Sequence, residues 1–269
     1  MTQAPLKIGI VGCAGRMGRM LIHEVLATKG VDLAAGSEVP GHHIGADLGT
    51  LAGGAASGRR VTADASEVFA ASDVVIDFTA PAATMFHAKL AKHAGTALVV
   101  GTTGLDAVAR DALKAAAEKA VVVQAANFSL GVNVLFALTE KIAATLGADY
   151  DIDILEMHHR HKVDAPSGTA LALGDSAAKG RGVALDQVWR KSRDGQVGAR
   201  PHGEIGFATL RGGDVVGDHT VIFAGEGERV ELTHKASSRA NFAKGALRAA
   251  LWTRGRGAGL YSMRDVLNL

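Results

Sequence analysis

The sequence predicts an α/β chain in two parts: a parallel sheet flanked by helices, then an α+β segment on a mixed sheet. Three observations carry this reading. Short β-branched runs alternate with helical patterns through the first half, at the spacing of βαβ units. A glycine-rich turn, Gly12–Gly18, joins the first strand to the first helix. Beyond Gly203 the rhythm changes to three strand-like runs separated by glycine turns.

In order, Lys7–Val11 reads as a buried strand and Arg16–Thr28 as a helix, with Met17, Met20, Leu21 and Val25 on one stripe. Val31–Ala35 is a second strand, and Pro40–Gly58 a long loop. There follow strand Val74–Phe78, helix Ala82–His93, strand Ala97–Val100, helix Asp106–Lys119 and strand Val121–Ala125. Right-handed crossovers between such strands place a ligand crevice at their carboxyl ends. In the second half, Val132–Leu146 is a helix. Tyr150–Leu155 alternates apolar and acidic residues as a half-buried strand does. Thr169–Lys179 is helical, Arg181–Gly203 is a polar mobile loop, and Glu204–Arg211, Val215–Ala224 and Arg229–Lys235 are strands. Asn241–Arg254 is a last helix. The expected division is residues 1–129, completed by 241–269, and residues 130–240.

With 269 residues, 48% hydrophobic and 21% charged, the chain can bury a sizeable core. A net charge of +2 is too small to point to nucleic acid, and 4% aromatic residues argue against a base-stacking platform. The single cysteine, Cys13, excludes an intrachain disulfide and fits a reducing, cytoplasmic setting. The apolar run Ile8–Val11 is too short for a secretory leader, and no segment is expected to cross a bilayer.

Gly12, Gly15 and Gly18 form a GxxGxxG variant of the dinucleotide fingerprint. The first permits the tight turn, the second lets backbone approach a pyrophosphate, and the third lets the helix pack on the sheet. Glu38 follows at roughly the 20-residue interval of a ribose-binding acid. It can accept hydrogen bonds from both ribose hydroxyls and would repel a 2′-phosphate, and its neighbour Val39 supplies no cation. Gly101-Thr102-Thr103-Gly104 and Ala125-Ala126-Asn127-Phe128 leave strand ends on the same edge and can serve the nicotinamide end. Asp77-Phe78-Thr79 ends another strand towards the adenosine side, with Phe78 read as core.

The chemical cluster is Glu156-Met157-His158-His159-Arg160-His161-Lys162, five cationic or potentially cationic side chains in a row. Asp164 or Ser167 can cap the helix that follows, and Pro166 suits its first turn. Cations beside a helix N-terminus make a carboxylate site, and two such anchors suggest a dicarboxylate. Histidine also suits proton transfer to the carbanion-like centre left by hydride addition. A solvated basic turn is the plain alternative. Zinc is disfavoured, because His159 and His161 lack a second ligand pair. A thiol-dependent semialdehyde dehydrogenase is disfavoured because the one cysteine lies in the glycine turn. A non-catalytic NADH-sensing module would need no dicarboxylate site.

Together these segments resemble the 4-hydroxy-tetrahydrodipicolinate (dihydrodipicolinate) reductase family. The resemblance runs from GCAGRMG at 12–18 through DFT at 77–79, GTTG at 101–104 and AANFSLGVNV at 125–134. It continues through EMHHRHKVDAPSGTA at 156–170, IGFATLRGGDVVGDHT at 205–220 and THKASSRANFAKGA at 233–246. It implies a Rossmann-like domain with an α+β substrate and tetramerisation domain, and NADH or NADPH as cofactor. It implies His158 as proton donor, Lys162 as second catalytic and substrate-binding residue, and His159, Gly168, Thr169 and Thr103 as further substrate contacts. Cofactor contacts would be Gly12, Cys13, Ala14, Gly15, Arg16, Met17, Glu38, Gly101, Thr102, Thr103, Ala125, Ala126, Asn127 and Phe128. Many members carry arginine where this chain has Val39, so the resemblance favours NADH here, although Arg16 can offset part of that loss. No metal is implied. The implied partners are a cyclic dicarboxylate and further copies of the chain, without nucleic acid or membrane.

Overall fold

Leu6–Val11 (β1) buries every residue except Lys7, as a strand covered on both faces must. The structure, a computed structural model, describes residues 4–269. It contains two units, one running to Ser129 and resuming over Ala240–Asn268, the other Leu130–Arg239.

In the first unit β1 leads to α1 (Arg16–Ala27), which buries Gly18, Leu21, Ile22 and Val25. Then come β2 (Val31–Ser37), α2 (Leu48–Leu51), β3 (Val61–Thr62), α3 (Ala65–Ala71) and β4 (Val74–Asp77). They are followed by α4 (Pro81–Ala94), β5 (Ala97–Val100), α5 (Ala107–Ala117) and β6 (Val121–Gln124). Side chains of Asp64 and Asp106 cap α3 and α5, and Pro81 opens α4. The expected long loop Pro40–Gly58 is more ordered than its glycines suggested. Asp47 accepts from the amides of Thr50, Ser57 and Gly58 and folds the segment around α2. Neither β3 nor α3 was legible in the sequence, being too short to show a period.

The second unit begins with α6 (Leu130–Leu146) and a single 3-10 turn at Gly147–Asp149. Leu130–Asp149 has mean hydropathy 1.3 over its most apolar window and is 28% buried there. By length and composition it could span a bilayer, which corrects the expectation that no segment could. Val132, Leu135 and Ala143 are buried, Leu135 and Ala143 in the core of this unit, and Glu140 pairs with Lys179 at 2.9 Å. Next come β7 (Asp151–His158), α7 (Gly168–Gly180), α8 (Leu185–Val188), β8 (Trp189–Arg190), β9 (Ile205–Arg211), β10 (Gly217–Gly225) and β11 (Glu228–Ala236). The sheet order is β11-β10-β7-β9-β8, antiparallel on one side of β7 and parallel on the other. Ile152, Ile154, Val221, Phe223 and Phe207 pack against α6 and α7. Each such buried side chain contributes about 1.5–3 kcal/mol.

The segment Arg181–Gly203, expected as a mobile loop, carries α8 and β8 and is tied to the sheet by arginines. Arg193 bonds Asp153 and Glu204 at 2.8 and 2.6 Å, and Arg200 reaches Asp151 at 3.0 Å and the Ile152 carbonyl at 2.7 Å. Pro166 also departs from expectation: it precedes the N-cap Ser167 and is not in the first turn of α7.

The chain then returns to the first unit as α9 (Ala240–Trp252), β12 (Gly259–Tyr261) and α10 (Met263–Leu267), the last two unanticipated. They complete a seven-stranded parallel sheet of order β12-β6-β5-β4-β1-β2-β3. Val11 stands opposite Ser37 and Asp77, and Val100 opposite Asp77 and Gln124. The loops after β1, β2, β4, β5 and β6 therefore leave one edge, with the change of strand order beside β1.

Candidate active site

On that edge Gly12 adopts φ +67°, which side chains rarely tolerate, and a Cβ on Gly18 would lie 2.3 Å from the Gly12 carbonyl oxygen. The turn thus needs glycine at both places, for the bend and for seating α1 on the sheet. Glu38 accepts from the Ala14 amide at 3.0 Å, with its second oxygen on the Val39 amide at 3.0 Å. The acid is fastened to the glycine turn, where it can meet a ribose. A cavity of about 590 Å³ opens beside it, lined by Gly12, Glu38, Val39, Thr79, Phe86 and His87 among others, within the range of small-ligand sites. Phe86 and His87 lie on α4 and carried no motif signal.

The residues around this edge divide by what they expose. Gly15 and Arg16 are exposed, Ala14 and Met17 half-buried. Cys13 is fully buried, and its thiol is pushed up to about 12, chiefly by burial and then by Glu38. Phe128 is likewise core, its ring 5.4 Å from that of Phe78. Thr103, Ala126 and, in part, Gly101, Ala125 and Asn127 remain accessible. Thr102 is buried, and its hydroxyl bonds Thr84 at 2.8 Å. It belongs to a network under the edge centred on Asp77, which binds His87 Nδ1 at 2.9 Å and the Thr79 hydroxyl at 2.6 Å. Burial opposes the Asp77 charge, but His87 and Thr79 outweigh it and hold the carboxyl below the usual range.

In the second unit the side chains of Ile152, Ile154, Glu156 and His158 alternate onto the buried face of β7. The apolar core therefore ends in a polar layer. His158 Nδ1 lies 2.6 Å from Glu156. Parallel pairing sets Arg211 opposite His158, and antiparallel pairing sets His219 opposite Glu156. Arg211 grips both Glu156 oxygens at 2.8 and 2.9 Å. Burial opposes the Glu156 charge, yet Arg211, His158 and the Ser167 amide together hold the carboxyl below its ordinary range. His219 packs edge-on to His158 at 5.1 Å, and burial, then the His158 charge, pushes it down to about 4.

The turn after β7 is pinned by its backbone, the His159 amide donating to Val215 at 2.7 Å and the Gly212 amide to His158 at 3.0 Å. Burial and then the charges of Arg239, His161, His158 and Lys162 hold His159 below the ordinary histidine value. Arg239 is thus a member of the cationic cluster that sequence reading missed. Lys162 pairs with Asp164 at 2.8 Å. Ser167 caps α7, its hydroxyl accepting from Ala170 at 3.2 Å, so Gly168 and Thr169 sit at the helix's positive end. Arg160 and His161 are exposed. Among the described residues no group of three or more His, Cys, Asp or Glu is placed to hold a metal ion. A larger cavity, about 650 Å³ near Asp175, Lys179 and Trp189, contains none of these groups.

Residues 6–128 match the family description "Dihydrodipicolinate reductase, N-terminus", and residues 131–267 match "Dihydrodipicolinate reductase, C-terminus". The chain is 56% identical to the 4-hydroxy-tetrahydrodipicolinate reductase of Dinoroseobacter shibae, over 97% of this chain and 98% of that one. It is 55% identical to that of Parvibaculum lavamentivorans, over 99% of both. Among solved structures it is similar to a dipicolinate-bound dihydrodipicolinate reductase from Paenisporosarcina sp. TG-14. That match has a TM-score of 0.78 and 25% identity, over 97% of this chain and 98% of that one. An amine dehydrogenase from Mycobacterium smegmatis shares the fold at TM-score 0.63 and 12% identity, over 97% of this chain and 96% of that one. The chain belongs to the dihydrodipicolinate reductase family and carries its activity, the NAD(P)H-dependent reduction of 4-hydroxy-tetrahydrodipicolinate in lysine and diaminopimelate biosynthesis.

Proposed function

We propose that the second unit holds the cyclic dicarboxylate on Lys162, His159 and the start of α7 at Gly168–Thr169, and that His158 supplies the proton. The observation that carries this is the state of the His158 ring. Its Nδ1 is taken by Glu156, and among the described residues Nε2 has no hydrogen-bond partner. An imidazole fixed on one side and open on the other, beside a cationic turn and a helix N-terminus, suits protonation of a bound anion.

In this reading the first unit holds NAD(P)H through Gly12–Met17, Glu38, Gly101–Thr103 and Ala125–Phe128, with Cys13, Thr102 and Phe128 contributing backbone only. The cofactor supplies hydride to ring C4. Lys162 and His159 neutralise the carboxylates, His158 protonates the carbanion-like centre, and the 4-hydroxyl leaves as water in the overall reaction. NADH is the preferred cofactor. Support comes from Glu38, fastened by Ala14 where a 2′-phosphate would sit, with the 74% exposed Val39 offering no charge beside it. The chain acts in the cytoplasm as a homo-oligomer, a tetramer by family resemblance. The face of the second sheet turned away from the helices carries Leu155, Met157, Leu210 and Ile222, which supports self-association.

Calorimetric titration with pyridine-2,6-dicarboxylate tests the binding assignment. Lys162→Ala is expected to weaken binding about tenfold or more, the worth of one charge-assisted contact. Unchanged binding would contradict the placement of the carboxylate on Lys162.

A further inference from the structure

Glu156 lies within the conspicuous basic segment but received no role from its sequence. Its carboxylate is 1% exposed, and four donors saturate it. One oxygen takes Arg211 Nη1 at 2.8 Å and His158 Nδ1 at 2.6 Å. The other takes Arg211 Nη2 at 2.9 Å and the Ser167 amide at 3.0 Å. Nothing is left over for solvent, and the bidentate arginine fixes the carboxylate plane. Arg211 also donates to the Asp164 carbonyl at 2.6 Å. One buried ion pair therefore touches the proposed proton donor, the loop carrying Lys162 and the cap of the helix whose first turn takes a carboxylate.

We infer that Glu156, clamped by Arg211, is a positioning residue that fixes the tautomer of His158 and sets it in register with the anion-binding start of α7. The inference rests on the reading that His158 is the proton donor. When the imidazolium gives its Nε2 proton to the substrate carbon, the electron pair of that N–H bond stays on Nε2. The Nδ1 proton remains on the ring, held by Glu156, and Nε2 regains a proton from water. Without an ionised acceptor at Nδ1, the neutral ring is free to hold its one proton on Nε2, where an uncharged N–H is too weak an acid to protonate carbon and Nε2 is closed to a proton from water. Gly217 supports the same orientation: a Cβ there would lie 3.0 Å from His158 Nε2, so glycine leaves that nitrogen room. Around His158 stand Glu156 on its own strand, Arg211 opposite it on β9, and His219 edge-on to it from β10. Glu156 is the anion in contact with the ring, so its removal leaves Nδ1 without a charged acceptor.

The test is ¹⁵N NMR of His158 in the intact chain, joined to kinetics of Glu156→Gln, Glu156→Asp and His158→Gln. In the native chain, neutral His158 is expected as the Nδ1–H tautomer. An Nε2–H tautomer overturns the inference without recourse to any variant. Glu156→Gln is expected to lower kcat about 100-fold with KM within about threefold. Glu156→Asp should restore part of the lost turnover. A folded Glu156→Gln enzyme with native kcat overturns the inference while the donor reading stands, provided His158→Gln is inactive. If His158→Gln keeps native turnover, the donor reading fails instead. If Glu156→Gln does not fold, the native tautomer decides.

Discussion

Lys162 Nζ lies 2.8 Å from Asp164 Oδ1, so the ammonium that the proposed mechanism gives to a substrate carboxylate is already paired within its own loop. The pair is partly exposed, and Lys162 holds the Asp164 carboxyl below its ordinary range. A dicarboxylate must compete with this internal anion. Asp164→Asn is therefore expected to tighten binding of pyridine-2,6-dicarboxylate by a few-fold, about 0.5–1 kcal/mol for a partly exposed pair. Weaker binding in the calorimeter would show that Asp164 orients Lys162 and does not compete for it.

The depressed proton affinity of His159 gives a pH dependence of known sign. Burial, Arg239 and its cationic neighbours keep this ring neutral at pH values where a free histidine is half protonated. A bound carboxylate raises its affinity for a proton, so binding takes up a proton. Dicarboxylate affinity should rise as pH falls through the ordinary histidine range. Calorimetry in buffers of different ionisation enthalpy should register the uptake, and His159→Gln should flatten the trend.

His219 governs stability in the opposite sense to a salt-bridged histidine. Its folded value is about 4 against 6.5 for the free side chain, so the unfolded chain binds the extra proton between those limits. Stability is fully present above the unfolded value and is lost as pH falls towards about 4. The amount is on the order of 3 kcal/mol. Denaturant unfolding across that window should show the slope, and His219→Gln should reduce it. An unchanged slope would assign the acid lability to other groups.

Restoring a cation beside Glu38 tests the cofactor preference. Val39 is exposed and lines the cavity next to that carboxylate. Val39→Arg is expected to raise the kcat/KM ratio of NADPH to NADH about tenfold, the equivalent of one charge-assisted contact to a phosphate. A ratio that stays put would place the discrimination elsewhere in the cavity.

What could be read from the sequence was whatever lies close along the chain. The parallel strands were legible because both faces are covered, so Ile8, Ile10, Val75, Ile76, Val99 and Val100 form apolar runs. The cationic turn and the cap at Ser167 were legible because their residues are neighbours. Arg211, His219 and Arg239 were not, because sheet pairing brings the first two to Glu156 and His158 from other strands, and periodicity reveals a face without revealing its partner. For the same reason Arg193 and Arg200 looked like part of a solvated loop, when their ion pairs to Asp153 and Asp151 fasten it. Thr102 and Phe128 stood in motifs, but the fold turns their side chains inward.

The central claim is that His158 moves the proton, and the most direct measurement is steady-state and single-turnover kinetics of His158→Gln with saturating NADH. A proton donor acts in the transition state, so kcat should fall about 100-fold or more while KM for the dicarboxylate stays within a few-fold. A folded variant with near-native kcat would remove His158 from the chemistry and leave it a structural partner of Glu156.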